Sequence, residues 1–237
     1  MKREYVKWRS ESLGRDMELL VFGHAGEPVL LFPTSKGRFY QNEDFGLIET
    51  LADRIDAGRY VVVCVDGVDE ESWYNTSASP HDRVLRHEQY EAYILGEAVP
   101  FLQGRSTGGR LTIGGCSFGG FHAVQIGLRH PRVFSRVLSM SGKFETDGFL
   151  DGYHDDRVYF HSVFEWIPNL EDREKLEELF HVEIILATGD ADFCRASNEK
   201  LSSVLWSKGI GNHLSVWRDA GHDWPVWRQQ IREYLPG

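Results

Sequence analysis

Ser117 stands between glycines in Gly115-Cys116-Ser117-Phe118-Gly119-Gly120, and this spacing is the one best suited to chemistry in the chain. A serine hydroxyl is almost never ionised at neutral pH, so a nucleophilic serine needs a base beside it. Of the ten histidines, His222 is the best placed, in Asp219-Ala220-Gly221-His222-Asp223-Trp224-Pro225. His87 and His122 fall inside helical patterns, where packing is the better reading. An imidazole base needs an acid that fixes its tautomer. The segment Thr188-Gly189-Asp190-Ala191-Asp192-Phe193 offers two, Asp190 and Asp192, and spacing alone does not choose between them. Asp192 also reads as a helix N-cap, and Asp190 as a turn residue. The order serine, aspartate, histidine is that of a nucleophile-elbow hydrolase. Such chemistry further requires amide donors for an oxyanion. The Phe118 amide is one, and the loop Pro33-Thr34-Ser35-Lys36-Gly37 supplies the other, taken as Ser35 with Thr34 and Lys36 as alternatives.

These residues must be carried by strand ends and helix starts. Residues 110–114 read as a buried strand and 121–128 as an apolar helix, so that Gly115 and Gly119 let the chain reverse sharply around Ser117. Residues 28–33 and 60–65 are short continuous apolar runs, the pattern of strands buried on both faces. Residues 5–9 and 17–22 alternate around Gly14, as an antiparallel pair at the start of a sheet does. Residues 134–140, 182–187 and 213–217 complete the strands. Helices are expected over 43–55 with Asn42 as cap, 82–102, 172–180, 193–208 and 225–235. Strands alternating with helices imply a mainly parallel sheet covered on both faces, with functional loops at the strand C-termini.

A chain of 237 residues is expected to form a single domain over 1–237, with residues 143–181 as a cap-like insertion rich in aromatic residues. Its charges from Glu171 to Glu178 read as a solvated face. The formal charge of −10 argues against a nucleic-acid surface, which needs clustered Lys and Arg. No apolar run approaches membrane-spanning length, so no membrane partner is expected and the protein is read as cytoplasmic. Three cysteines, Cys64, Cys116 and Cys194, lack metal-ligand spacing and read as reduced core thiols, so no zinc or disulfide framework is expected. Trp73 and Tyr74, together with the aromatic insertion, are candidates for a substrate pocket.

Four segments together, Gly115 to Ala123, Phe32 to Arg38, Gly189-Asp190-Ala191-Asp192 and Gly221-His222-Asp223-Trp224-Pro225-Val226-Trp227, resemble the putative-esterase group of α/β-hydrolases. That group includes esterase D-like enzymes, feruloyl esterases and mycolyltransferases. The resemblance covers nearly the whole chain, including Glu71 to Asn75 and Arg83 to Glu97. It implies an α/β-hydrolase fold, a Ser-Asp-His triad at Ser117, Asp192 and His222, and no cofactor. Asp192 is preferred to Asp190 because the group's acid closes a Gly-x-x-Asp segment. The chain departs from the pattern at Phe32-Pro33-Thr34-Ser35, where many relatives carry a His-Gly pair. The expected activity is hydrolysis of a small-molecule carboxylic ester through an acyl-enzyme. Acyl transfer to an alcohol or sugar, or a catalytically silent binding module on the same fold, are the alternatives.

Overall fold

The computed structural model describes residues 1–237 and contains one eight-stranded sheet. In chain order the elements are β1 (Arg3–Arg9), β2 (Asp16–Phe22), β3 (Glu27–Phe32), α1 (Gln41–Asp44), α2 (Ala52–Asp56) and β4 (Tyr60–Val65). The chain continues with α3 (Pro80–Tyr93), α4 (Val99–Gln103), β5 (Thr112–Cys116), α5 (Phe118–Arg129) and β6 (Arg136–Met140). The insertion carries α6 (Asp156–Phe160), α7 (Val163–Trp166) and α8 (Arg173–Phe180). It is followed by β7 (Glu183–Gly189), α9 (Arg195–Ser207), β8 (His213–Trp217) and α10 (Trp224–Tyr234). The strand order is β1-β2-β4-β3-β5-β6-β7-β8, antiparallel for the first two pairings and parallel from β4 onward. This is the α/β-hydrolase fold, a mostly parallel sheet with helices on both faces.

Side-chain alternation along the central strands builds both sides of the core. In β3, Leu30 and Phe32 face the cluster containing Trp73, Tyr90, Ile113 and Phe121, whereas Val29 and Leu31 face Leu51, Ile55, Trp227 and Ile231. Both faces are covered, so β3 and β4 read as unbroken apolar runs, and β1 at the sheet edge alternates between exposed and half-buried positions. No helix is long and apolar enough to cross a membrane.

Two helical expectations are corrected by the backbone. The single helix over 43–55 is instead α1, a 3-10 turn at Glu49–Leu51 and α2, because Gly46 adopts φ +72° and interrupts the ladder. Asn42 is accordingly no cap. It is buried, and its Nδ2 donates to the Phe32 carbonyl at 3.2 Å. Phe45, at the start of that segment, is 47% exposed and stacks on Trp224 with ring centroids 4.7 Å apart. The long helix over 82–102 starts earlier, at Pro80, where the Ser79 hydroxyl caps the Asp82 amide, and it passes through a π-helical turn at Ile94–Ala98 before α4. Pro100, which has no amide to donate, is the second residue after that turn.

Candidate active site

The C-terminal end of β5 delivers Ser117 in a backbone conformation that a non-glycine residue seldom adopts, φ 55° and ψ −121°. Close packing on either side enforces it. A Cβ on Gly115 would lie 2.6 Å from the backbone of Gly119, and one on Gly119 would lie 2.5 Å from the Pro33 carbonyl oxygen. Glycine is therefore required at both positions, and the amide of Ser117 is tied to the Met140 carbonyl at 2.8 Å. The strand-to-helix reversal leaves the Phe118 amide, the first of α5, without a protein acceptor.

The Ser117 hydroxyl lies 3.0 Å from His222 Nε2, and His222 Nδ1 lies 3.0 Å from Asp192 Oδ1. An ionised carboxylate can only accept, so Nδ1 carries the proton and Nε2 is left to accept from the serine. Burial alone would raise the Asp192 carboxyl, but hydrogen bonds to its Oδ1 from His222 and the Cys194 amide, with the Ser141 hydroxyl close by, outweigh it and bring it down to about 2. Asp190 does something else. Its Oδ1 accepts the Ala220 amide at 3.2 Å, and amides of Asp219 and Ala220 hold its carboxyl below the usual range. It thus joins the loop after β7 to the loop bearing His222, and the Ala191 amide on the Ala220 carbonyl at 3.1 Å reinforces that join.

The imidazole is held from both sides. Phe193 lies over it with centroids 4.2 Å apart, and Trp227 meets it edge-on at 4.9 Å. Trp227 Nε1 donates to the Ser141 hydroxyl at 2.8 Å, which places Ser141, at φ 59°, beneath Asp192. Ser141 carries no motif of its own, and only its position at the end of β6 marks it.

The loop after β3 decides among the amides considered for an oxyanion. The Thr34 amide donates to Gln41 Oε1 at 2.8 Å and the Lys36 amide to Asp69 Oδ2 at 2.8 Å, whereas the Ser35 amide has no protein acceptor. Ser35 also borders the cleft of about 380 Å³ that opens at Ser117. Tyr74, Phe118 and Phe149 form an aromatic wall of this cleft, with neighbouring centroids 5.1 to 5.7 Å apart. The Tyr74 hydroxyl lies 3.0 Å from Ser35 Oγ, and Lys143 and Glu145 add charge to the lining. Trp73 does not reach the cleft. It is 1% exposed and packs behind the wall on Phe149, Phe121 and His87, so its place is structural support. Arg83, buried on α3, fixes the wall from behind by donating to the Phe149 and Asn75 carbonyls, each at 2.7 Å.

A wide depression of about 440 Å³ bordered by Arg129, Arg132, Lys175 and Glu178 holds no paired nucleophile and base. Two side-chain groups have the composition of cation ligands. In His87, Glu91 and His161 the Arg129 guanidinium already bonds Glu91 and His161, and in Asp192, Cys194 and His222 the imidazole already donates to the aspartate. Cys116, next to the serine, is fully buried, and burial pushes its thiol well above the ordinary value. Cys194 is pushed up to about 12 by burial and by the Asp192 charge.

No curated protein matches the chain. Solved structures do. A ferulic acid esterase superposes with a TM-score of 0.78 at 20% identity, covering 99% of this chain and 96% of the other. An S-formylglutathione hydrolase from Agrobacterium tumefaciens gives 0.73 at 17%, covering 98% and 92%. The fluorophosphonate-binding serine hydrolase F of Staphylococcus aureus gives 0.72 at 17%, covering 99% and 96%. At these identities the likeness speaks for the fold. The family model described as "Putative esterase" matches residues 10–237, nearly the whole chain. The chain therefore belongs to the esterase family and is a carboxylic ester hydrolase.

Proposed function

We propose that the protein cleaves esters through an acyl-enzyme formed on Ser117, with His222 as general base and acid and Asp192 as the acid that orients it. The carrying observation is the continuous relay from Ser117 Oγ through His222 to Asp192, 3.0 Å at each step, at a backbone position where the serine is forced outward. As Ser117 Oγ attacks the ester carbonyl, its proton passes to His222 Nε2, and the Asp192 carboxylate stabilises the resulting imidazolium. The carbonyl oxygen takes the negative charge and is met by the Phe118 and Ser35 amides. Collapse returns the proton to the departing alcohol and leaves an acyl-serine. Water, deprotonated by the same imidazole, then releases the acid and regenerates the enzyme. No step requires a cofactor.

The substrate in this reading is a small-molecule ester whose apolar group lies on the wall of Tyr74, Phe118 and Phe149. The wall's mixture of ring faces and the Tyr74 hydroxyl suits a flat or branched acyl group with a polar tip. The three buried, unpaired thiols support a reducing, cytoplasmic setting. The test is Ser117→Ala. Ester turnover should fall a thousandfold or more, on the order expected when one member of a concerted set is lost, with an unchanged melting temperature. Wild type should be labelled by a fluorophosphonate at Ser117. A Ser117→Ala enzyme that retains most of its activity would refute the assignment. Product analysis with an added alcohol separates hydrolysis from acyl transfer, since only the acceptor differs.

A further inference from the structure

A buried pair that the catalytic steps above do not use lies directly behind both oxyanion donors. Asp69, in the loop after β4, is 2% exposed, and His122 of α5 is 1% exposed. His122 Nε2 lies 2.8 Å from Asp69 Oδ1, and Asp69 Oδ2 accepts the Lys36 amide at 2.8 Å. One carboxylate thus joins the loop that carries Ser35 to the helix that begins at Phe118. We propose that Asp69, oriented by His122, is a positioning residue for the oxyanion hole, holding the Ser35 and Phe118 amides at a fixed separation. This rests on the reading of Ser117 as nucleophile.

The backbone of the loop shows why such an anchor is needed. The Gly37 amide donates to the Thr34 carbonyl at 2.9 Å, closing a tight turn with Ser35 and Lys36 at its centre. Because the peptide between Thr34 and Ser35 is trans, a Thr34 carbonyl directed into the turn sends the Ser35 N–H the opposite way. The turn works only if Lys36 keeps φ 56°, a left-handed conformation that is unfavourable for a residue with a Cβ. Gln41 holds the turn at Thr34 and Asp69 holds it at Lys36, one on each side of Ser35. Asp69 reaches further still, since its backbone carbonyl accepts the Tyr74 amide at 2.9 Å and so places a residue of the cleft wall.

His122 supplies the other half. Its ring meets Phe118 edge-on at 4.8 Å and packs on Phe32 at 5.4 Å, so it is in contact with both the elbow helix and the strand that leads into the loop. By donating from Nε2 to Oδ1 it leaves Oδ2 directed at Lys36. With either partner lost, a buried carboxylate is left short of a donor and the anchor turns or takes up a proton. The Lys36 peptide is then free to flip, and the Ser35 amide moves with it.

The experiment measures kcat and KM per fluorophosphonate-titrated serine for wild type, Asp69→Ala, Asp69→Asn and His122→Gln, together with inhibition by an aryl trifluoromethyl ketone and by the product acid. The ketone forms a tetrahedral oxyanion on the serine, and the acid does not. Removal of an oxyanion donor typically lowers kcat by about a hundredfold or more. Asp69→Ala should therefore lose about a hundredfold in kcat with KM within about twofold, and should lose ketone affinity by a similar factor while product-acid affinity is kept. Asp69→Asn should recover most of the loss, because its oxygen still accepts the Lys36 amide and its amino group can donate to the other tautomer of His122. If Asp69→Ala is too unstable to titrate, His122→Gln provides the same comparison. A loss of melting temperature with normal kcat and ketone affinity per titrated site would reduce the pair to a structural bond and overturn the proposal. A wild type that is never labelled at Ser117 would overturn the nucleophile reading as well, and so tells the two failures apart.

Discussion

The Asp192 carboxylate has no exposed surface and yet remains charged, because His222 and the Cys194 amide both donate to its Oδ1 and the Ser141 hydroxyl lies nearby. Its value of about 2 means that it keeps its charge throughout any working range, so a loss of kcat/KM on mild acidification is not titration of this aspartate. Asp192→Asn should lower kcat about ten-thousandfold with the fold kept, since an amide holds the imidazole in the wrong tautomer. Asp190→Asn should leave kcat nearly unchanged and lower the melting temperature slightly, through weakened bonds to the next loop. Measuring kcat and melting temperature for both variants checks this, and a crippled Asp190→Asn beside a merely less stable Asp192→Asn would reverse the assignment. Sequence spacing left both aspartates open because they lie on one short loop after one strand. What separates them is the loop's path. The Asp190 amide continues the pairing of β7 with β8 through the Trp217 carbonyl, and the chain then doubles back so that Asp192 comes under His222. Asp69 and His122 were less legible again, being 53 residues apart, and His122 has the spacing of an ordinary core residue.

Among the elements, the β5-to-α5 reversal was readable because its constraints are local. Two glycines, a buried strand and an apolar helix say the same thing within residues 110–128. The contact between α5 and β3 is not local, and it sets the distance between the two oxyanion donors. A Cβ on Gly119 would meet the carbonyl oxygens of Pro33 and Phe32 at 2.5 and 2.9 Å, both rigid backbone. Gly119→Ala should therefore push α5 from β3, costing about 1–3 kcal/mol of stability and lowering kcat beyond what the lost stability explains. Gly120→Ala is the comparison. Its Cβ would lie 2.5 Å from the Ser139 hydroxyl, the end of a side chain that can turn, and no nearer than 3.2 Å to backbone, at Gly115 and Gly142, so stability should fall with a smaller change in kcat than at Gly119. Equal kcat in the two variants would show that the spacing of α5 from β3 does not matter to the reaction. The segment over 43–55 was misread for the converse reason. Its apolar spacing is helical, but Gly46 takes a left-handed conformation beside distant partners, Trp224 of α10 stacking on Phe45 and Arg228 donating to the Phe45 carbonyl. Trp73 shows the same limit, since an aromatic residue in a loop has the same sequence signature whether it lines a cleft or supports its wall.

Across the whole molecule, one buried histidine couples stability to pH. His87 is fully buried, and neither ring nitrogen has a hydrogen-bond partner. Burial, then the neighbouring His161 and His122, hold it well below its ordinary value of 6.5, against an opposing pull from Glu91. A group whose value is depressed on folding contributes stability above its unfolded value and loses it as pH falls toward the folded one. The unfolded chain takes up a proton below pH 6.5 that the folded chain refuses. Each such proton costs about 1.4 kcal/mol per pH unit. Asp192 acts in the same direction only below the ordinary carboxyl value of 3.8, since its own is about 2. His154, raised by its hydrogen bond to Glu165, acts in the opposite direction, but it is exposed and solvent screens it. Asp66, raised by burial, also acts in the opposite direction, so the histidine's part is read as the difference between wild type and a variant lacking it, between about pH 6.5 and 4.5. Leucine is close to histidine in volume, does not titrate, and suits a site bordered by Trp73 and Phe121. Unfolding free energies of wild type and His87→Leu, from denaturant titrations at pH 7, 6 and 5, should diverge as the pH falls, with the variant's line flatter by about one proton. Parallel lines would mean that His87 is protonated in the folded protein and that the polar cluster around Glu91 accommodates its charge.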